Sequence, residues 1–143
     1  MSRFLLAPLV AAALLAGAVL PTPARAGTLF DDLGGEAGVA RIVDGMVDRA
    51  LADPRIAFSF DNTNHDRLRR LIAQQFCHLS GGPCEARPRG MGPAHAHLDL
   101  HERHFLALVE DLQDSMDAAG VPFRTQNRLL ALLAPMKREI VRR

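Results

Sequence analysis

Three features of the sequence predict an all-α fold. Apolar residues recur three and four apart through four long segments, no stretch alternates apolar with polar residues as a half-buried strand would, and glycine or proline clusters separate the segments. The 143 residues suit one domain, and 48% apolar residues are enough to build its core.

The chain opens on a segment of a different kind. Met1 to Ala26 carries Arg3, an apolar run from Phe4 to Leu20, then Pro21-Thr22-Pro23 and the small-x-small triplet Ala24-Arg25-Ala26. That order reads as a secretory signal peptide, with residues 27–143 as the domain it delivers outside the cytoplasm, to the periplasm. The rival reading, an uncleaved anchor helix, fits less well because the apolar run is short and prolines follow it. Losing Arg3 and Arg25 leaves 117 residues with 15 basic against 16 acidic side chains. No later segment reaches the roughly 20 apolar residues of a membrane span, and a charge near zero gives no broad field to gather phosphates. Membrane-embedded and nucleic-acid-binding roles are disfavoured.

The first helix carries Val39, Ile42, Val43, Met46, Val47, Ala50 and Leu51 on one face, preceded by Gly34-Gly35 and stopped by Asp53-Pro54. A second helix is expected to start near Thr63-Asn64, with Asp66 completing a loose capping box to Thr63, and to carry Leu68, Leu71, Ile72, Gln75, Phe76 and Leu79 until Gly81-Gly82-Pro83 ends it. From Cys84 to Gly92 the chain is rich in Gly, Pro and Arg, an irregular loop of about ten residues. A helical turn is placed at Ala94 to Leu98. Two amphipathic helices follow, one with Phe105, Leu108, Val109, Leu112, Met116 and Ala119, the other with Leu129, Leu130, Leu133, Met136 and Ile140. Thr125 is the expected cap of the last helix, and Pro135 kinks or breaks it. With neither Trp nor Tyr, this set of helices fills its own core poorly, and something else is expected to occupy it.

Cys77 and Cys84 are the only cysteines. In an exported chain they are expected to form one disulfide, since Ser80-Gly81-Gly82-Pro83 turns the chain between them, and their spacing is not the C-x-x-C of a catalytic redox pair.

Four of the six histidines, His95, His97, His101 and His104, crowd into ten residues. On a continuous helix His97 and His101 would share a face, as would His101 and His104, a possible zinc, copper or nickel site; a solvated, charged helix start explains the same spacing. No H-E-x-x-H is present, and neither Ser80 nor Ser115 sits in the G-x-S-x-G of a hydrolase.

One ordered series spans nearly the whole of residues 27–143. Leu29-Phe30-Asp31-Asp32-Leu33-Gly34-Gly35, Leu51-Ala52-Asp53-Pro54, Phe58-Ser59-Phe60, Thr63-Asn64, Gly81-Gly82-Pro83, Met91, His95, His104-Phe105 and Ala134-Pro135 together resemble the group 1 truncated haemoglobins. The resemblance implies a two-over-two helical sandwich around haem b, with His95, four residues after Met91, as the ligand of the iron. It implies that Phe60 and Phe105 pack against the porphyrin, and it leaves His97 and His101 facing solvent. Where family members commonly carry a distal Tyr and Gln, this chain has Val47 and Ile72; a third distal place is Leu68, and Leu71 stands where some relatives carry a Lys or His near the iron.

The implied distal pocket is apolar, with its sixth iron position open or water-bound. Gln75 either reaches into it or uses its amide in an interhelix or backbone hydrogen bond. His65 and His78 lie off the apolar face. Such a pocket would bind a diatomic gas (O2, CO or NO) and favour carbon monoxide and nitric oxide over oxygen, which needs a donor to be retained. The implied roles are oxygen binding or transport, sensing, or nitric oxide handling, with an NO dioxygenase-type side activity left open and a reductase as the partner that keeps the iron ferrous. Two other classes remain alongside: a periplasmic histidine-rich transition-metal-binding protein without haem, and a cofactor-free helical interaction module.

Overall fold

The computed structural model describes residues 27–86 and 90–142. The leader assigned to Met1 to Ala26 lies outside the described residues, as do 87–89 of the linker and Arg143.

Among the described residues every regular element is helical. The chain begins with a single helical turn, α1 (Leu29–Asp32), which periodicity cannot detect in four residues. It is closed by a reciprocal cap: Thr28 Oγ1 accepts from the Asp31 N–H, and the Asp31 carboxylate accepts from the Thr28 N–H at 2.8 Å. The Thr28 N–H, and after it the Thr28 hydroxyl donating to the same carboxylate at 2.9 Å, hold the Asp31 carboxyl below the usual carboxylate range. The junction to α2 (Gly35–Ala52) needs Gly34, whose φ of 91° lies in the left-handed region.

Asn64, one residue later than the expected Thr63, caps α3 (His65–Leu79), its Oδ1 accepting from the Arg67 N–H at 2.8 Å. The short helix also differs from expectation. It is α4 (Met91–His95), three residues earlier than the turn placed at Ala94 to Leu98. Pro93 is its third residue, where the missing N–H breaks no helical bond.

Helix α5 (Glu102–Ala118) and helix α6 (Phe123–Leu133) follow as their apolar faces predict. Thr125 does not cap α6: it is buried in the first turn, and Pro122 occupies the cap position. The break at Pro135 is present as a 3₁₀ turn, Ala134–Met136, before α7 (Lys137–Ile140).

The pair α2 and α3 is laid against the pair α5 and α6, with α2 packed on both α3 and α5. Val39, Ile42, Val43 and Met46 of α2 meet Leu112 and Met116 of α5, Leu129 of α6 and Phe76 of α3. Ile42, Met116 and Leu129 are among the side chains shut off completely, each worth about 1.5 to 3 kcal/mol of transfer free energy. The core borders a cavity, which Met46, Val47, Phe76 and Leu112 also line.

Cys77 and Cys84 form the expected disulfide. It ties the end of α3 to the loop that leads to α4. Gly82 allows the close approach, since a Cβ there would stand 2.7 Å from Cys77 Sγ and 2.8 Å from the Phe30 ring.

Candidate functional site

A cavity of about 360 Å³ opens between α2, α3, α4 and α5, within the usual size range of small-molecule sites. Val47, Phe60, Leu68, Ile72, Met91, His95 and Phe105 all line it. The helical spacing of three and four that marks one face of α3 brings Leu68, Leu71, Ile72 and Gln75 to this wall, and a 3₁₀ turn (Ala57–Phe60) carries Phe60 to its edge. The lining is overwhelmingly hydrocarbon, so an occupant of the cavity has to be largely apolar.

His95, the last residue of α4, is the basic group that changes what the cavity can do. Its Nδ1 lies 2.7 Å from the carbonyl oxygen of Met91, one turn earlier. A carbonyl only accepts, so Nδ1 bears the proton and donates, and Nε2 keeps its lone pair. One hydrogen bond thereby fixes both tautomer and ring orientation, the arrangement by which proteins prepare an imidazole as a metal ligand.

The segment carrying His95 is strapped from the C-terminal side. The Arg142 N–H donates to the Leu100 carbonyl at 2.9 Å and its guanidinium to the Ala96 carbonyl at 3.0 Å, while Lys137 pairs with Glu102 at the start of α5. Helix α7 packs directly on α4.

The other histidines of the cluster diverge. His97 is exposed, on the rim of the cavity rather than wholly outside it, and His101 is half-buried with its Nε2 3.5 Å from Asp99. Among the described residues, no three His, Cys, Asp or Glu side chains stand close enough to share a metal ion. The haem-free metal site built on His95, His97, His101 and His104 therefore lacks its geometry. His65 and His78 are exposed, each near a backbone carbonyl.

Sequence reasoning gave no pocket role to His104, Thr63 or Met136, all of which line the cavity. His104 is buried; its Nδ1 accepts from the His101 N–H at 3.1 Å, and its ring meets Phe58 edge to face, centroids 5.3 Å apart. Burial, reinforced by the charge of Arg103, pulls its pKa below that of an ordinary histidine, so the ring is neutral near pH 7. The only available signal was the i, i+4 relation of His104 to Leu108 on the cavity face. Gln75 also lines the cavity, whereas it is the neighbouring Gln74 whose amide donates to a backbone carbonyl, that of Glu85.

A helical sandwich with a histidine-bearing apolar cavity is the architecture of a globin, and comparison with known proteins agrees. Residues 28–142 match the bacterial-like globin family, and the chain belongs to that family as a group 1 truncated globin. The group 1 truncated hemoglobin GlbN of Mycolicibacterium paratuberculosis is 30% identical over 117 residues, covering 82% of this chain and 86% of that protein. The crystal structure of truncated hemoglobin from Tetrahymena pyriformis in its Fe(III) form superposes with a TM-score of 0.77 at 26% identity, over 82% of this chain and all of that one. The 2/2 hemoglobin of Synechococcus, solved with covalently attached heme, has a TM-score of 0.77 at 24% identity over the same shares and shares the fold.

Proposed function

We propose that the chain binds haem b through His95 and holds a diatomic gas on the other face of the ring. Membership of the truncated globins makes it a haem-binding, gas-binding protein in general terms. The observation that carries the specific reading is the Met91 carbonyl on His95 Nδ1, which leaves Nε2 free to bond a metal inside an apolar cavity. The residues fit the group: a flat apolar disc suits the hydrocarbon walls, and a neutral imidazole is the usual globin ligand. His95 would hold the haem iron, which would supply the centre that binds a small gas.

The chain's own work is to orient the ligand, exclude water and set the polarity around the gas. Val47, Leu68, Leu71 and Ile72 offer no hydrogen-bond donor, and Gln75 is the nearest polar side chain on the same wall of α3. This lining supports a pocket that holds carbon monoxide and nitric oxide in preference to oxygen, which depends on a donor. The leader-like order of Met1 to Ala26, together with the disulfide, supports export to the periplasm.

An absorption spectrum of the purified protein tests the reading. An intense Soret band is expected, abolished or shifted in His95→Ala; a wild-type chain that takes up no haem when it is supplied overturns the assignment.

A further inference from the structure

One ring nitrogen of His104 has no hydrogen-bond partner among the described residues, and the proposed function leaves it unclaimed. The residue is 8% exposed, so it is more than nine-tenths buried, and it lines the same cavity as His95. Its Nδ1 is occupied by the His101 N–H, which makes Nε2 the protonated nitrogen of the neutral ring. Among the described residues nothing accepts from that N–H. His104 lines the cavity, so an occupant that carries an acceptor can take this N–H.

Where His104 sits decides which part of the occupant that is. Its ring neighbours Phe58 and His101 are 49% and 43% exposed, so His104 stands close to the protein surface. Arg103 adds positive charge beside it. Resting on the haem reading above, we propose that His104 is a cofactor-anchoring residue whose Nε2–H donates to a propionate carboxylate of the porphyrin. An ionised carboxylate is costly to bury, so a propionate would favour the part of the cavity near the protein surface, and His104 would offer it a donor there. A neutral N–H meeting an ionised oxygen is a charge-assisted bond, among the stronger kinds.

The experiment reconstitutes the apo-protein with haem and with haem dimethyl ester, whose carboxylates are capped and uncharged, and follows loss of each to excess apomyoglobin at the Soret band. His104→Ala is expected to lose haem about 10- to 100-fold faster than wild type, whereas the ester leaves both proteins at rates within about twofold. His104→Gln, which keeps an N–H donor, should fall between. Equal acceleration for haem and ester would mean that His104 only packs, and would overturn the proposal. If His104→Ala does not fold, the wild type decides alone: equal loss of haem and ester overturns it. A wild type that takes up neither overturns instead the haem reading on which the proposal stands.

Discussion

Val47 presents methyl groups to the cavity from a position 2% exposed, so nothing there can donate a hydrogen bond. Val47→Tyr places a phenolic O–H at the same wall, and on the proposed distal assignment it should slow oxygen release by one to two orders of magnitude, the effect of a charge-assisted bond worth about 1.5 to 3 kcal/mol. Carbon monoxide release should change far less. Stopped-flow dissociation of both gases checks this, and unchanged oxygen release rejects the placement of Val47 beside the gas. A second residue carries a cost unrelated to the cavity. Asp111 of α5 is buried with Oδ2 unpartnered, and burial above all, with the charge of Asp53, pushes its carboxyl up despite the opposing pull of Arg55. A carboxyl raised in the fold contributes its full stability below the ordinary carboxylate pKa and loses it as pH rises through the folded value. At neutral pH the ionised form is therefore a burden. Asp111→Asn, neutral at every pH, should stabilise the protein by about 1 kcal/mol at pH 7, with the gain vanishing toward pH 3. Denaturant titrations at the two pH values measure it.

Among the elements, the loop from Ser80 to Gly90 connects the wall that carries Leu68 and Ile72 to the helix that carries His95. The disulfide shortens it, and hydrogen bonds reinforce it: the Gly82 N–H donates to the Cys77 carbonyl at 2.8 Å, and Gln74 Nε2 to the Glu85 carbonyl at 3.3 Å. In the chain-entropy model closing so short a loop stabilises by roughly 2 to 3 kcal/mol. Reductant should lower the melting temperature by several degrees, seen as a shift of the circular-dichroism melt; a curve indifferent to reductant contradicts the account. The long helices were legible because ten or more residues repeat an apolar face. The short ones were not. Leu29–Asp32 and Ala57–Phe60 complete barely one turn, and the five-residue Met91–His95 was expected three residues later, at Ala94 to Leu98. Thr125 had the chemistry of a cap but sits inside α6, because Pro122, with its fixed φ, already turns the chain into the helix.

At the scale of the molecule, the site was legible as an ordered series of short motifs. Val47, Phe60, Leu68, Ile72, Met91, His95 and Phe105 come from five separate elements and meet on one cavity. No single spacing predicted that meeting; it depends on how α2 and α3 lie across α5 and α6. His104 was illegible as a cavity residue for a related reason. Its burial and the state of its ring follow from the turn at His101 and the contact with Phe58, neither of which leaves a trace in a one-dimensional pattern. The carbonyl clasp of Arg142 on Leu100 and Ala96 has a practical bearing. Backbone on either side of it belongs to opposite ends of the last third of the chain, so the tail behaves as a buckle over the residues that present His95. Affinity handles or fluorescent proteins fused at that end pull on the buckle, whereas an engineer seeking looser cofactor exchange without altering a single cavity side chain has a grip at Arg142.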